Sequence, residues 1–241
     1  MASITISGGG LIGLFCADLL SSEHEITIIE VNAEIGFPAN FPGTISNKKK
    51  IIEILESNNL SNLYILENNN QFNFRTEWFV KLLSYKLTRN KVDIIHRTRI
   101  EKTIPIDNKL KLILKGTELK NQTHITDYLI DFSQSSLPGP SNKNHIIIEN
   151  TSRIIKPIIK TKEYFVGTCL INAAKNLTQT DLLLERSDGL VEVWYEQGKQ
   201  KIPKKGWIES KNLNAYFNSK IMIVNDYLAK AQEIINTMVI S

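Results

Sequence analysis

Ser3-Ile4-Thr5-Ile6-Ser7 alternates polar and apolar residues, the period-two pattern of a short strand. Gly8-Gly9-Gly10 breaks the alternation, and Leu11 to Ser21 follows as an apolar stretch of helical length. Ser21 to His24 is a polar turn, and Glu25-Ile26-Thr27-Ile28-Ile29-Glu30 reads as a second strand. Strand, glycine turn, helix and strand in this order predict a βαβ unit with parallel strands and a right-handed crossover.

The pattern continues less sharply. Residues 35–47 carry Gly36, Pro38, Pro42 and Gly43 and predict a loop. Lys48 to Asn58 predicts a helix, Leu63 to Leu66 a strand, and Thr76 to Arg89 a helix with Trp78, Phe79, Leu82, Leu83 and Leu87 at helical spacing. Val92–Ile95, Arg99–Ile104, Leu110–Leu114 and Tyr128–Asp131 read as strands. Ser133 to Asn144 is the strongest loop or boundary signal. Ile146–Ile148, Tyr164–Ile171, Asp181–Arg186 and Leu190–Tyr195 follow as strands, the last two joined by the hairpin signal Ser187-Asp188-Gly189. Ile221 to Thr237 is a closing amphipathic helix. The fold class expected is α/β: a Rossmann-like domain with a parallel sheet over residues 1–140, then a smaller antiparallel β-rich region with a C-terminal helix over 141–241. One continuous domain is the alternative.

Charge changes the picture at the N-terminus. Residues 1–46 hold Asp18, Glu23, Glu25, Glu30 and Glu34 but no Lys or Arg, and all 29 basic residues lie beyond position 47. A nucleic-acid grip needs Lys and Arg, so this segment excludes that partner class. If it binds phosphate, it uses backbone N–H groups and a helix dipole. Among the 241 residues no run reaches the roughly 18 apolar residues of a membrane span, and no basic region precedes the first apolar stretch. Peripheral membrane contact stays open. Cys16 and Cys169 are far apart, so a reducing, cytoplasmic setting is expected.

Gly8-Gly9-Gly10-Leu11-Ile12-Gly13 matches G-x-G-x-x-G in the context that gives that motif meaning. Gly8 would form the turn, Gly10 would admit a pyrophosphate, and Gly13 would let helix and strand pack closely. The N–H groups of Gly10, Leu11, Ile12 and Gly13 would hold the pyrophosphate. Glu30, 22 residues after Gly8, stands where an acid hydrogen-bonds an adenosine ribose. Val31-Asn32-Ala33 supplies no arginine for a 2′-phosphate, which favours FAD or NAD over NADP.

Beyond Glu30 the chain resembles the FAD-dependent oxidoreductases of the geranylgeranyl reductase-like group, in which a G-x-P-x-x-C-x-G segment runs over the flavin. Gly36, Pro38 and Gly43 match that segment, and Phe41 stands at the cysteine position. Arg75, heading the Thr76 helix, resembles the arginine these flavoproteins place near the flavin. Leu129 to Ser133 sits where they have a hydrophobic run into A-D-G. The resemblance implies FAD as cofactor, with Val31, Gly36, Pro38, Gly43 and Arg75 beside the glycine motif in the site. It also implies hydride transfer to an apolar, isoprenoid-type substrate. The group's later G-D motif has no counterpart here, which suggests a shortened relative. Three readings therefore stay open: an FAD-dependent oxidoreductase, an NAD-binding one, and a non-catalytic relative acting as a binding or assembly subunit. A homo-oligomer or a partner subunit that completes the site is compatible with each.

Other chemistry is thin. His24, His96, His124 and His145 lack zinc-site spacing, and no nucleophile elbow or P-loop occurs. No metal and no catalytic acid or base can be named. Trp194, Tyr195 and Trp207 could face a substrate or fill a core. The run Lys199, Lys201, Lys204 and Lys205 with Trp207 fits either a solvated sheet edge or contact with anionic lipid.

Overall fold

The structure, a computed structural model, describes residues 1–56, 60–117, 121–133 and 145–238. The expected loop from Ser133 to Asn144 lies, after its first residue, outside them. The elements are, in chain order, β1 (Ser3–Ser7), α1 (Leu11–Leu20), β2 (Glu25–Ile29), β3 (Thr44–Ile45), α2 (Lys48–Leu55), β4 (Leu66–Asn68), β5 (Gln71–Asn73), α3 (Thr76–Arg89), β6 (Asp93–Ile95), β7 (Thr98–Ile106), β8 (Lys109–Gly116), β9 (Thr123–Thr126) and β10 (Tyr128–Asp131). They continue as β11 (Ile146–Ile147), β12 (Ile154–Ile155), β13 (Thr161–Leu170), α4 (Ile171–Ala174), β14 (Leu182–Glu185), β15 (Leu190–Glu196), β16 (Glu209–Asn218), β17 (Lys220–Ile221) and α5 (Val224–Asn236). The chain folds as two compact units. One comprises Met1–Ala39, Val80–Ile159 and Tyr227–Ser241; the other comprises Asn40–Phe79 and Lys160–Asp226.

The first unit is built on a five-stranded parallel sheet of order β12-β10-β1-β2-β6. β1 and β2 are buried along almost their whole length. That follows from cover on both faces, since a parallel sheet with its helices on one side still needs a second layer. On one face, α1 buries all but two of its residues, Asp18 and Leu19. Asp18 pairs with Lys86 of α3 at 2.7 Å, so the charge that faces the interior is neutralised. On the other face, the sheet β11-β7-β8-β9 contributes Ile100, Leu110, Leu112 and Leu114 to a cluster with Ile29, Leu129 and Ile154. This is a Rossmann-like α/β core, as the N-terminal pattern predicts.

The second unit carries a three-stranded sheet, β3-β5-β4, and a five-stranded antiparallel sheet of order β14-β15-β13-β16-β17. One face of the larger sheet packs Tyr164, Val166, Leu184, Trp194, Leu213 and Ala215. The other packs Cys169, Val191, Val193 and Tyr195 with Phe165 and Trp207 against them. Trp194 and Tyr195 thus fill cores on opposite faces of β15.

Two local expectations change. Leu63–Leu66 is not a strand: Ser61–Leu63 forms a 3-10 turn and Tyr64 takes the left-handed φ of 50°, which delays the strand to Leu66. β16, ten residues long, goes unseen in a segment that begins Glu-Ser-Lys-Asn; its register against β13, Thr168↔Glu209 to Thr161↔Tyr216, supplies what its composition does not.

Candidate functional site

In the parallel sheet of the first unit, β1 is central, with β2 on one side and β10 on the other. The chain therefore leaves the carboxyl ends of β1 and β10 toward different neighbours, which is the crevice where open α/β sheets bind ligands. Gly8 follows β1 directly. Its N–H donates to the Ile29 carbonyl at 2.9 Å, and its φ of +110° suits only glycine. Across the turn, the Phe132 N–H donates to the Ser7 carbonyl at 2.9 Å, closing the β10 side.

The glycines of the turn have different reasons to be glycine. A Cβ on Gly13 would lie 2.2 Å from the Gly8 carbonyl oxygen, so Gly13 lets α1 press onto the turn. A Cβ on Gly9 would lie 2.4 Å from Ile35 Cγ1. Gly10 is the exception: its φ of −65° and ψ of 169° are open to any residue, and nothing lies within 4 Å of its missing Cβ. Internal packing does not ask for glycine at this position. Gly10 is also the N-cap of α1, with no side-chain cap and no acid in the first turn. The Leu14 N–H is the first to bond within the helix, to the Gly10 carbonyl at 3.0 Å. The N–H groups of Leu11, Ile12 and Gly13 are the donors a helix start presents to an anion, while the Leu11 and Ile12 side chains are buried in the core.

Glu30, 4% exposed, closes the turn from the side. One carboxylate oxygen accepts the Gly9 N–H at 2.7 Å. The other accepts both the backbone N–H and the side-chain amide of Asn32, each at 2.8 Å. A carboxylate offers about four acceptor sites, so one remains for a ligand hydroxyl. Val31, half-buried, lies between these partners. The Arg97 N–H donates to the Asn32 carbonyl at 3.2 Å, placing the backbone of a basic residue beside the acid. The local motif could not reveal this, since Arg97 arrives after β6.

Gly36 and Pro38 belong to the same unit. Gly36 has φ +73°, and a Cβ there would lie 2.0 Å from Val80 Cγ1. Pro38 is exposed and follows a cis peptide bond. Gly43 and Arg75 belong to the second unit. The Gly43 carbonyl accepts the Phe74 N–H at 2.7 Å, and a Cβ on Gly43 would lie 2.1 Å from the Phe74 carbonyl oxygen. Arg75 precedes α3 and its carbonyl accepts the Phe79 N–H at 3.2 Å; its guanidinium lies 3.5 Å from Glu77 with nearly half its side chain exposed.

Two buried polar groups escape sequence reasoning. At the end of β10, Asp131 lies 3.1 Å from His145 Nδ1, while His145 Nε2 lies 2.8 Å from the Thr103 hydroxyl. Burial alone would raise the Asp131 carboxyl; hydrogen bonds from His145 and Ser133, with the His145 charge, hold it below the ordinary value. In the second unit, Glu192 is raised above the usual carboxylate range by burial, with the nearby Glu77 adding to it. The Trp194 indole N–H donates to Glu192 at 2.6 Å, and Arg186 lies 4.0 Å away.

No family model and no curated protein matches this sequence. Solved structures do match the fold. A p-nitrophenol 4-monooxygenase from Pseudomonas putida aligns over 99% of this chain and 80% of its own, with TM-score 0.60 and 9% identity. The L-alpha-glycerophosphate oxidase of Mycoplasma pneumoniae, solved with FAD bound, aligns over 100% of this chain and 95% of its own, with TM-score 0.60 and 11% identity. A geranylgeranyl bacteriochlorophyll reductase-like protein from Thermoplasma acidophilum aligns over 98% and 76%, with TM-score 0.59 and 13% identity. The chain shares their fold, and the group suggested by Gly36, Pro38 and Gly43 is represented among them.

Proposed function

We propose that the β1–α1 turn binds the pyrophosphate of FAD and that the protein is a flavin-dependent oxidoreductase. The observation that carries this reading is the open space at Gly10. A residue that could be larger without touching the protein, at an uncapped helix start, is what close approach of a pyrophosphate requires. The residues fit the group: Leu11, Ile12 and Gly13 would give N–H donors to its phosphates, and the remaining acceptor site of Glu30 would take a ribose hydroxyl. The fold shared with an oxidase solved with FAD bound supports the same cofactor. FAD, when bound, supplies the hydride chemistry. The chain's part is to hold the adenosine end through Glu30 and the phosphates through backbone donors, with Gly36, Pro38, Gly43 and Arg75 proposed for the flavin end. An apolar, isoprenoid-type substrate rests on the motif resemblance and on the likeness to the reductase-like structure.

The test is a thermal-unfolding panel with FAD, NAD and NADP, read together with flavin absorbance of the purified protein. FAD should raise the midpoint most. A colourless protein that FAD does not stabilise would sink the reading, and larger stabilisation by NAD would replace it with a nicotinamide site. A second reading, binding without turnover, is favoured by one observation: no Gly-Asp pair follows the first region of the chain. It is separated by whether bound FAD can be reduced and reoxidised on the protein.

A further inference from the structure

Two readings of the lysine-rich segment between β15 and β16 are open from sequence alone, and the strand order removes one. β15 and β16 both pair with β13 and lie on either side of it, while the edges of this sheet are β14 and β17. Residues 197–208 therefore guard no edge. They leave β15 at Glu196, opposite Tyr164, and enter β16 at Glu209, opposite Thr168. The segment travels back along β13 over one sheet face.

It is held down firmly. Pro203 is buried, and the Trp207 ring covers Gly167, whose missing Cβ would lie 2.4 Å from it. Trp207 packs on Phe165 with ring centroids 5.5 Å apart. The Ile208 N–H donates to the Thr168 carbonyl at 2.8 Å, and Lys201 Nζ donates to the Thr178 hydroxyl at 2.7 Å. What the anchored segment turns outward is Ile202, 79% exposed, Ile208, 60% exposed, and the exposed Lys199, Lys204 and Lys205. No acid occurs from 197 to 208; of the two flanking acids, Glu196 is taken by Lys199 and Lys162, and the exposed Glu209 accepts the Thr168 hydroxyl at 3.2 Å.

Large apolar side chains held in water among lysines fit an interface with apolar depth beneath negative charge. A nucleic-acid backbone would use the lysines but has no place for two exposed isoleucines. We propose that residues 197–208 form a docking surface for an anionic phospholipid membrane. Ile202 and Ile208 enter the headgroup region, and Lys204 and Lys205 meet the lipid phosphates. This proposal stands apart from the flavin reading.

The test is co-sedimentation of the full chain with vesicles of phosphatidylcholine alone and of phosphatidylcholine with about one third phosphatidylglycerol. Binding is expected only to the anionic vesicles and should weaken as salt rises. The variant K204Q/K205Q should bind on the order of twentyfold more weakly, about fivefold per lysine. I202S/I208S should also lose affinity, with unfolding midpoint and circular dichroism of both variants unchanged. No binding to anionic vesicles, wild-type binding by either variant, or binding to a short single-stranded oligonucleotide in place of vesicles would each overturn it.

Discussion

Gly10→Ala separates the two reasons a glycine can occupy this turn. The new methyl meets no protein atom within 4 Å, and φ −65°, ψ 169° is ordinary backbone for alanine. The ligand-free protein should then be as stable as wild type or gain about 0.4–1 kcal/mol, because alanine restricts the unfolded chain. For a chain of this size that corresponds to a rise of a few degrees at most, about 2–4 °C per kcal/mol. If the turn binds FAD as proposed, FAD at about 100 times its Kd would stabilise wild type by roughly 2.7 kcal/mol and raise the wild-type midpoint by several degrees. In the variant the methyl occupies the space a pyrophosphate needs, and that increment should vanish. Gly13→Ala is the contrast. Its methyl would lie 2.2 Å from the Gly8 carbonyl, so α1 must move. Overpacking of this kind costs about 1–3 kcal/mol with or without ligand. The assay is thermal unfolding of the three proteins with and without FAD, with flavin fluorescence titration for affinity. A Gly10→Ala protein that keeps full FAD stabilisation would refute the reasoning, because the open space would then not be ligand space.

Three further outcomes test the polar groups. Glu30→Gln should destabilise the protein even without ligand, by roughly 1–3 kcal/mol, since an amide nitrogen replaces one of the oxygens that accept from Gly9 and Asn32; urea unfolding measures it, and an unchanged midpoint would mean that Glu30 serves only a ligand. Asp131 has a depressed folded-state value, so it stabilises above the ordinary carboxylate range and loses that contribution as pH falls through the folded value; the gap in urea midpoint between wild type and Asp131→Asn should be widest near neutrality and close below about pH 4. Glu192 has a raised value, so its burial costs stability as pH climbs from the ordinary range through the folded value. Glu192→Gln keeps an acceptor for the Trp194 N–H and should flatten that decline; equal pH profiles for variant and wild type would show that Glu192 ionises freely in the fold.

The N-terminal βαβ unit was legible because all its determinants are local: alternation, a glycine break and a helical apolar stretch within thirty residues. Its chemistry was legible in part. Glu30 reads from sequence as a ribose contact, yet three of its acceptor sites serve Gly9 and Asn32, and the bond to Gly9 spans 21 residues and needs the folded turn. His145 looked isolated because Asp131 and Thr103 reach it through strand pairing, with Ile147 beside Thr103 in the β7–β11 register. β16 hid for the same reason. Only Leu213, Ala215 and Phe217 alternate in it, and β13 supplies the rest of the order. The lysine segment shows the reverse case, where composition was plain and meaning depended on strand order.

A site built this way sets limits on its own selectivity. Residues 1–46 offer a phosphate no Lys or Arg, so its recognition falls to backbone N–H groups and the α1 dipole. Those donors meet the pyrophosphate of any dinucleotide alike. Glu30, with one acceptor site left, would distinguish a free ribose hydroxyl from a 2′-phosphate in the proposed site, because a carboxylate repels the second charge. It does not tell FAD from NAD, which share the adenosine half. The choice between them must come from groups that recognise a ring system and not a phosphate. The residues proposed for that end are Gly36, Pro38, Gly43 and Arg75. Gly36 and Gly43 have packing reasons to be glycine that would hold with no ligand at all, and Pro38 lacks an N–H to donate. Arg75 is then the one member of that set with a polar side chain to offer, and its surface pairing with Glu77 is of the weak, exchangeable kind. On the proposed reading, selectivity for a flavin would rest either on Arg75 or on shape.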